Sequence, residues 1–258
     1  MKQIKILKIM TVLCILTGCT VLEDRTECPC HMVLDFSATD TTLISSVHIR
    51  ISDNFGDGYK DSLSAKMFMP EYAISVSRSE KYVNIYSGRD LLIEDEGGIT
   101  IPPGCECPPV YMHSAIVDAS FEELHHSVQM HKNHCVMNII MENESSTEYE
   151  LCVRGNICGY GRDGSPAEGE FRFVPQVYGN GQYKVVLPRQ KDTSLMLEID
   201  DGTEVLKKFA LGEFIAAGGY DWTTPDLEDI TVYIDWTVTS ISLTIRGWNW
   251  EYEHEIVI

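Results

Sequence analysis

Seven cysteines carry most of the chemistry this sequence could perform: Cys28, Cys30, Cys105, Cys107, Cys135, Cys152 and Cys158. Four of them form two C-x-C pairs, Cys28-Pro29-Cys30 and Cys105-Glu106-Cys107. Thiols placed in this way either oxidise to disulfides or, as thiolates beside histidine, hold a metal. Histidine is at hand. His31 adjoins Cys30, and His125, His126, His131 and His134 lead into Cys135. That run offers the ligands copper and zinc prefer, but its spacings match no zinc pattern. These histidines are read as a solvated, charged segment, and no metal or other cofactor is expected. The sequence holds no G-x-S-x-G, no H-E-x-x-H and no Gly-rich phosphate loop. No catalytic residue is assigned, and neither an enzyme nor a small-molecule substrate is expected. Asp53 to Gly58 has the outline of a calcium loop, but Phe55 stands where the second oxygen ligand belongs and Ser64 where the closing Glu belongs. A hairpin turn fits it better. Trp222, Trp236, Trp248 and Trp250 could form a sugar platform, yet aromatics at strand spacing are read first as core.

The elements that position these residues begin with the address. Lys2, Lys5 and Lys8 precede an apolar run from Ile9 to Leu16, broken only by Thr11. A membrane-spanning helix needs roughly 20 residues, so this short run is a secretory leader. It ends in Leu16-Thr17-Gly18-Cys19, which resembles the lipobox of bacterial lipoproteins. The resemblance implies cleavage between Gly18 and Cys19, with a diacylglycerol and a further acyl chain on Cys19. A single chain binds marginally, at about 0.8 kcal/mol per buried CH2, and two or three together hold firmly. Residues 19–27 read as a lipidated tether with Glu23, Asp24 and Glu27. An acidic patch there resembles the surface-export signal of Bacteroidales lipoproteins. The expected location is the outer face of the outer membrane, with the bilayer lipid a partner through Cys19.

Export places the cysteines in an oxidising compartment, where disulfides are the default. An odd seven leaves at least one free or paired between molecules. The formal charge is −19 for the whole chain, and the leader contributes +3, leaving −22 on residues 19–258. Such a surface repels nucleic acid and anionic lipid heads, so no nucleic-acid partner is expected.

Apolar residues recur with period two. Met32, Leu34 and Phe36 alternate with Val33 and Asp35; Val47, Ile49 and Ile51 with His48 and Arg50; Ile230, Val232 and Ile234 with Thr231 and Tyr233; Ile241, Leu243 and Ile245 with Ser242 and Thr244. This predicts strands buried on one face. Asp57-Gly58, Gly97-Gly98, Gly179-Asn180-Gly181 and Asp201-Gly202 read as turns, the Asn-Gly as a hairpin. Short helices are expected at Ser62–Phe68 and Leu206–Ala217. Many short antiparallel strands imply β-sandwiches, and the length suits two. Alternation lapses between Asp118 and His126, which puts one domain at residues 28–122 and the other at 123–258.

Several stretches together resemble the FimB-type fimbrial anchor lipoproteins of Bacteroidales. They are Glu23-Asp24-Arg25 and Cys28-Pro29-Cys30 after Cys19, then Pro108-Pro109-Val110-Tyr111-Met112-His113, Gly155-Asn156-Ile157-Cys158-Gly159-Tyr160 and Pro188-Arg189-Gln190 with Ser194-Leu195. Gly219-Tyr220-Asp221-Trp222, Asp229-Ile230 and Gly247-Trp248 follow. The resemblance implies an all-β chain of two tandem transthyretin-like antiparallel sandwiches. It also implies a role at the base of a fimbrium (a pilus), holding the fibre to the cell and limiting its length, with stalk or accessory subunits as partners. Related fimbriae join subunits by adding a strand of one to the sheet of the next. The last strand-like run, Trp248 to Ile258, closes the chain, so this protein is expected to accept a strand and not to donate one. The two C-x-C pairs flank the first domain, where cross-pairing would staple the loaded end. A loop of ~75 residues closed in this way contributes about 4 kcal/mol. Two of Cys135, Cys152 and Cys158 are expected to pair in the second. The alternative reading is a glycan-binding or adhesin surface lipoprotein.

Overall fold

The structure, a computed structural model, describes residues 28–40, 42–64, 70–88, 91–95, 97–142, 150–179, 181–200, 205–235, 240–246 and 251–257. It is nearly all β, built as sandwiches, with one short helix among the described residues.

The first sandwich packs a three-stranded sheet on a five-stranded one. In the smaller sheet β1 (Cys30–Asp35) runs antiparallel to β4 (Glu71–Val76) and parallel to β9 (Glu123–Ser127). The larger has the order β10 (His131–Lys132), β8 (Tyr111–Asp118), β5 (Glu80–Tyr86), β2 (Ser46–Asp53), β3 (Gly56–Ser64), antiparallel throughout. Met32, Leu34, Val47, Ile49, Ile51, Val83 and Ile85 fill the space between them, as the period-two pattern demands.

The second sandwich has five strands on one side: β14 (Gln182–Pro188), β11 (His134–Glu142), β17 (Asp229–Asp235), β18 (Ser240–Arg246) and β19 (Glu251–Val257), with β11 and β17 parallel. The facing sheet centres on β12 (Glu150–Gly161). One flank of β12 carries β13 (Pro166–Phe173); the other carries β15 (Met196–Asp200) and, end to end with it, β7 (Gly98–Thr100). β16 (Val205–Phe209) and β6 (Ile93–Asp95) complete it.

The chain does not divide at residue 122. β9 lies beyond that point and belongs to the first sandwich. In the other direction β6, β7, Ile99, Ile101, Cys107 and Val110 belong to the second core. Between β5 and β8 the chain thus visits the second sandwich and returns.

Other expectations change for local reasons. Ser62–Ser64 are strand, because Leu63 is buried opposite Val47; residues 65–69 lie outside the described set. Val205–Phe209 pairs with β15, and the helix α1 is confined to Leu211–Ala217, where Leu211 and Ile215 are buried one turn apart. The β2–β3 turn is Asp53–Gly56, with Gly56 at φ 136°, and the register slips beside Asp57-Gly58. Gly97-Gly98 does turn between β6 and β7. Val177 bridges Tyr183; Asn180, Asp201 and Gly202 of the other expected turns lie outside the described residues.

Candidate functional site

Cys19, Gly18 and the tether lie outside the described residues; Cys28, exposed, is the first that is described. Two residues later the chain enters β1, which is hydrogen-bonded on both flanks. No described helix is long and apolar enough to cross a membrane.

The joint between the sandwiches is made by the outer face of the five-stranded sheet. Alternation puts Arg50 and Asn84 on that face, yet they are only 3% and 4% exposed. Arg50 Nη1 donates to Gly98 O at 3.1 Å, and Asn84 Nδ2 to Gly161 O at 3.3 Å. Arg162 Nη1 returns a bond to Asp53 O at 3.0 Å and covers the Tyr82 ring. Glu94, on β6, accepts from Lys60 Nζ at 2.6 Å and Tyr86 Oη at 2.9 Å. Burial pushes its carboxyl up, but Lys60, Tyr86 and Arg50 outweigh this and hold it below the usual range. A second hub ties the second sandwich to Asn133, the residue between β10 and β11. Arg189 donates to the carbonyls of Trp222, Thr224 and Pro225 and to Asn133 Oδ1. The Tyr160 hydroxyl donates to Asn133 O and accepts from Arg189 N at 3.1 Å. These bonds account for Tyr160 and Arg189, which the sequence alone offers as motif pieces.

The outer edge of β14 is blocked at one point. Val186 N, turned away from β11, donates to Glu106 Oε1 at 2.7 Å. A carboxylate on an edge N–H discourages strand pairing there. At the opposite edge of the same sheet β19 pairs with β18 over its whole length.

The expected cysteine staples are not formed. All seven are free thiols, and the C-x-C pairs belong to different cores. Cys30 packs in the first and Cys107 in the second, because the segment after β7 stays with the second sandwich. Cys28 and Cys105 are exposed. Burial raises the thiols of Cys30, Cys107, Cys152 and Cys158, and pushes Cys135 up to about 12, the unreactive form.

The histidine run also divides. His31 is exposed on β1. His125 turns outward, with Nε2 3.0 Å from Glu123 Oε1. His131 Nδ1 lies 3.2 Å from Asp226 Oδ2. His134 is buried, with Nδ1 3.0 Å from Val110 O and its ring edge-on to Tyr111. Cys135 faces the opposite side of β11, in the core. His126 meets His113, which the sequence offers only as the end of a motif piece, through their Nε2 atoms at 2.8 Å. Period two on β8 was the signal that could have found it. Asp53 binds Lys81 Nζ at 2.6 Å and Phe55 N at 2.8 Å, which commits both of its carboxylate oxygens at the hairpin turn. Trp222 packs edge-on against Tyr220 beside the second core; Trp236, Trp248 and Trp250 lie outside the described residues.

This geometry is that of a tandem β-sandwich protein. Among solved structures, the fimbrial anchor protein Mfa2 from Porphyromonas gingivalis superposes with a TM-score of 0.62 at 10% identity, covering 87% of this chain and 99% of that one. A candidate polysaccharide-binding protein from Bacteroides thetaiotaomicron gives 0.61 at 10%, covering 88% and 98%. A candidate adhesin from Bacteroides ovatus gives 0.57 at 12%, covering 88% and 96%. At these identities the likeness establishes a shared fold. No protein-family model matches the chain, and no curated protein does.

Proposed function

We propose that this chain is a lipid-anchored surface protein that holds a fimbrium at the outer membrane, limits its length and accepts a donor strand from a stalk or accessory subunit. The observation that carries the reading is a fold shared, over nearly the whole of both chains, with a fimbrial anchor protein. Mechanics support it. Load entering from a lipid on Cys19 would reach β1, whose two flanks are both hydrogen-bonded. A pull along such a strand is resisted by many bonds at once. The pairing of β19 with β18 supports an accepting role, since that strand is already used within its own sheet. The role is structural, and no catalysis is assigned.

The test has two arms. Labelled palmitate should enter the wild-type chain and not Cys19→Ala, which should be released into the medium. Detergent-solubilised wild type should co-purify with fimbrial subunits, and deletion should give longer, shed fibres. A chain that takes no palmitate defeats the anchor. A chain that carries no fimbrial subunit and binds a glycan array would be the adhesin instead.

A further inference from the structure

His113 and His126 are brought together by two sheets. On β8, Tyr111, Ala115 and Val117 pack on the first core, and His113 shares their face by alternation. On β9, Leu124 and His126 are half-buried while Glu123, His125 and Ser127 are exposed, so His126 also points inward. The rings meet at the rim of the sandwich, with Nε2 atoms 2.8 Å apart, centroids 5.0 Å apart and planes at 55°. The His113 ring is fixed from behind, with Nδ1 3.0 Å from Gln129 O and 3.2 Å from Gln129 N.

We propose that His113 and His126 form a two-histidine site for a divalent transition-metal ion, which clasps the two sheets of the first sandwich together. Two neutral imidazoles that meet through Nε2 hold one proton between them. Metal binding moves that proton, through solvent, to the Nδ1 of the imidazole that carried it, so both rings stay neutral and both Nε2 lone pairs face the ion. Zinc bonds nitrogen at 2.0–2.1 Å, so a tetrahedral ion asks the Nε2 atoms to open to roughly 3.3 Å, a small rotation for half-buried rings. The Gln129 carbonyl on His113 Nδ1 is the kind of outer partner that orients a metal-bound imidazole. Among the described residues no third His, Cys, Asp or Glu completes the set, and the rim position leaves water to fill the remaining places. Burial disfavours the charged form of both imidazoles, and the neutral form is the one that ligates.

Zinc titration of the full chain in detergent tests this. One equivalent should bind, and His113→Gln and His126→Gln should each weaken it at least tenfold. His125→Gln and His131→Gln should leave it within twofold. In the unaltered chain the ring signals of His113 and His126 should shift together on zinc addition in NMR, a readout that holds even if a variant fails to fold. Absence of a saturable equivalent, binding that survives either substitution, or ring signals that zinc leaves in place would overturn the site.

Discussion

The β10-β8-β5-β2-β3 sheet is buried on one face and, around Arg50, Asn84 and Tyr86, on the other as well, by opposite chemistry. One face presents Val47, Ile49, Ile51, Val83 and Ile85 to the first core. The other presents Arg50, Asn84 and Tyr86, covered by the edge of the second sandwich. The apolar face gains by leaving water, with little demand on direction. The polar face must match each donor to an acceptor or lose stability. It meets Arg50 Nη1 and Asn84 Nδ2 with the carbonyls of Gly98, Gly161 and Arg162, so its partner is fixed in position as well as in kind. A strand pattern of apolar in and polar out therefore does not mean polar to solvent. Here it means polar to the neighbouring sandwich.

The largest effect should come from separating the halves. Residues 123–258 alone lack β6, β7, Ile99, Ile101, Cys107 and Val110, all part of the second sandwich. Residues 28–122 lack β9, a flank of β1. Neither fragment should show a cooperative denaturant transition, while the whole chain should unfold in one step by circular dichroism and tryptophan fluorescence alike. A fragment 123–258 that melts cooperatively would return the joint to the status of a simple contact.

A narrower cut at the polar face is Gly159→Ala. Gly159 pairs with Thr100, and a Cβ there would meet Ile99 O at 2.1 Å. Backbone, not a pliable side chain, stands in the way. Displacing β7 also moves Gly98 O, the acceptor of Arg50. The expected cost is about 3 kcal/mol, read as a lower urea midpoint at unchanged slope.

These cases show what was legible in the sequence. The apolar faces of β1, β2 and β17 could be read because period two reports burial directly. The joint could not, because Arg50 and Asn84 look the same in sequence whether they face water or a second body. The parallel pairs β1–β9 and β11–β17 were also hidden, since alternation is blind to strand direction. The histidines nearest in sequence are not the ones that meet: consecutive His134 and Cys135 point to opposite faces of β11, while His113 and His126 are 13 residues apart and share one interior. Cys30 and Cys107 were misjudged because closeness to a domain end in sequence says nothing about which core the intervening loop joins.

The smallest effect probes the apolar face at its charged end. Alternation places Lys81 on the same face as Val83 and Ile85, and it is 1% exposed. Its charge is met by Asp53 Oδ2 at 2.6 Å, with Ser77 Oγ at 2.8 Å. Asp53→Asn removes the counter-charge and leaves an ammonium in the rim of the core, at a cost of about 2 kcal/mol, below the usual range for fully buried pairs because Asp53 keeps some contact with water. The hydrogen bond from Lys81, first, and that from Phe55 N hold the Asp53 carboxyl below the usual carboxylate range. A depressed acid stabilises the fold above its unfolded pKa, near 4, and that contribution is lost as pH falls through the folded value. Wild type and Asp53→Asn should therefore differ fully at pH 7 and converge as the medium is acidified below about pH 4. A gap in unfolding free energy that stays constant from pH 7 to pH 3 would mean that the asparagine perturbs the Asp53–Gly56 turn and that the ion pair contributes nothing to sealing this face.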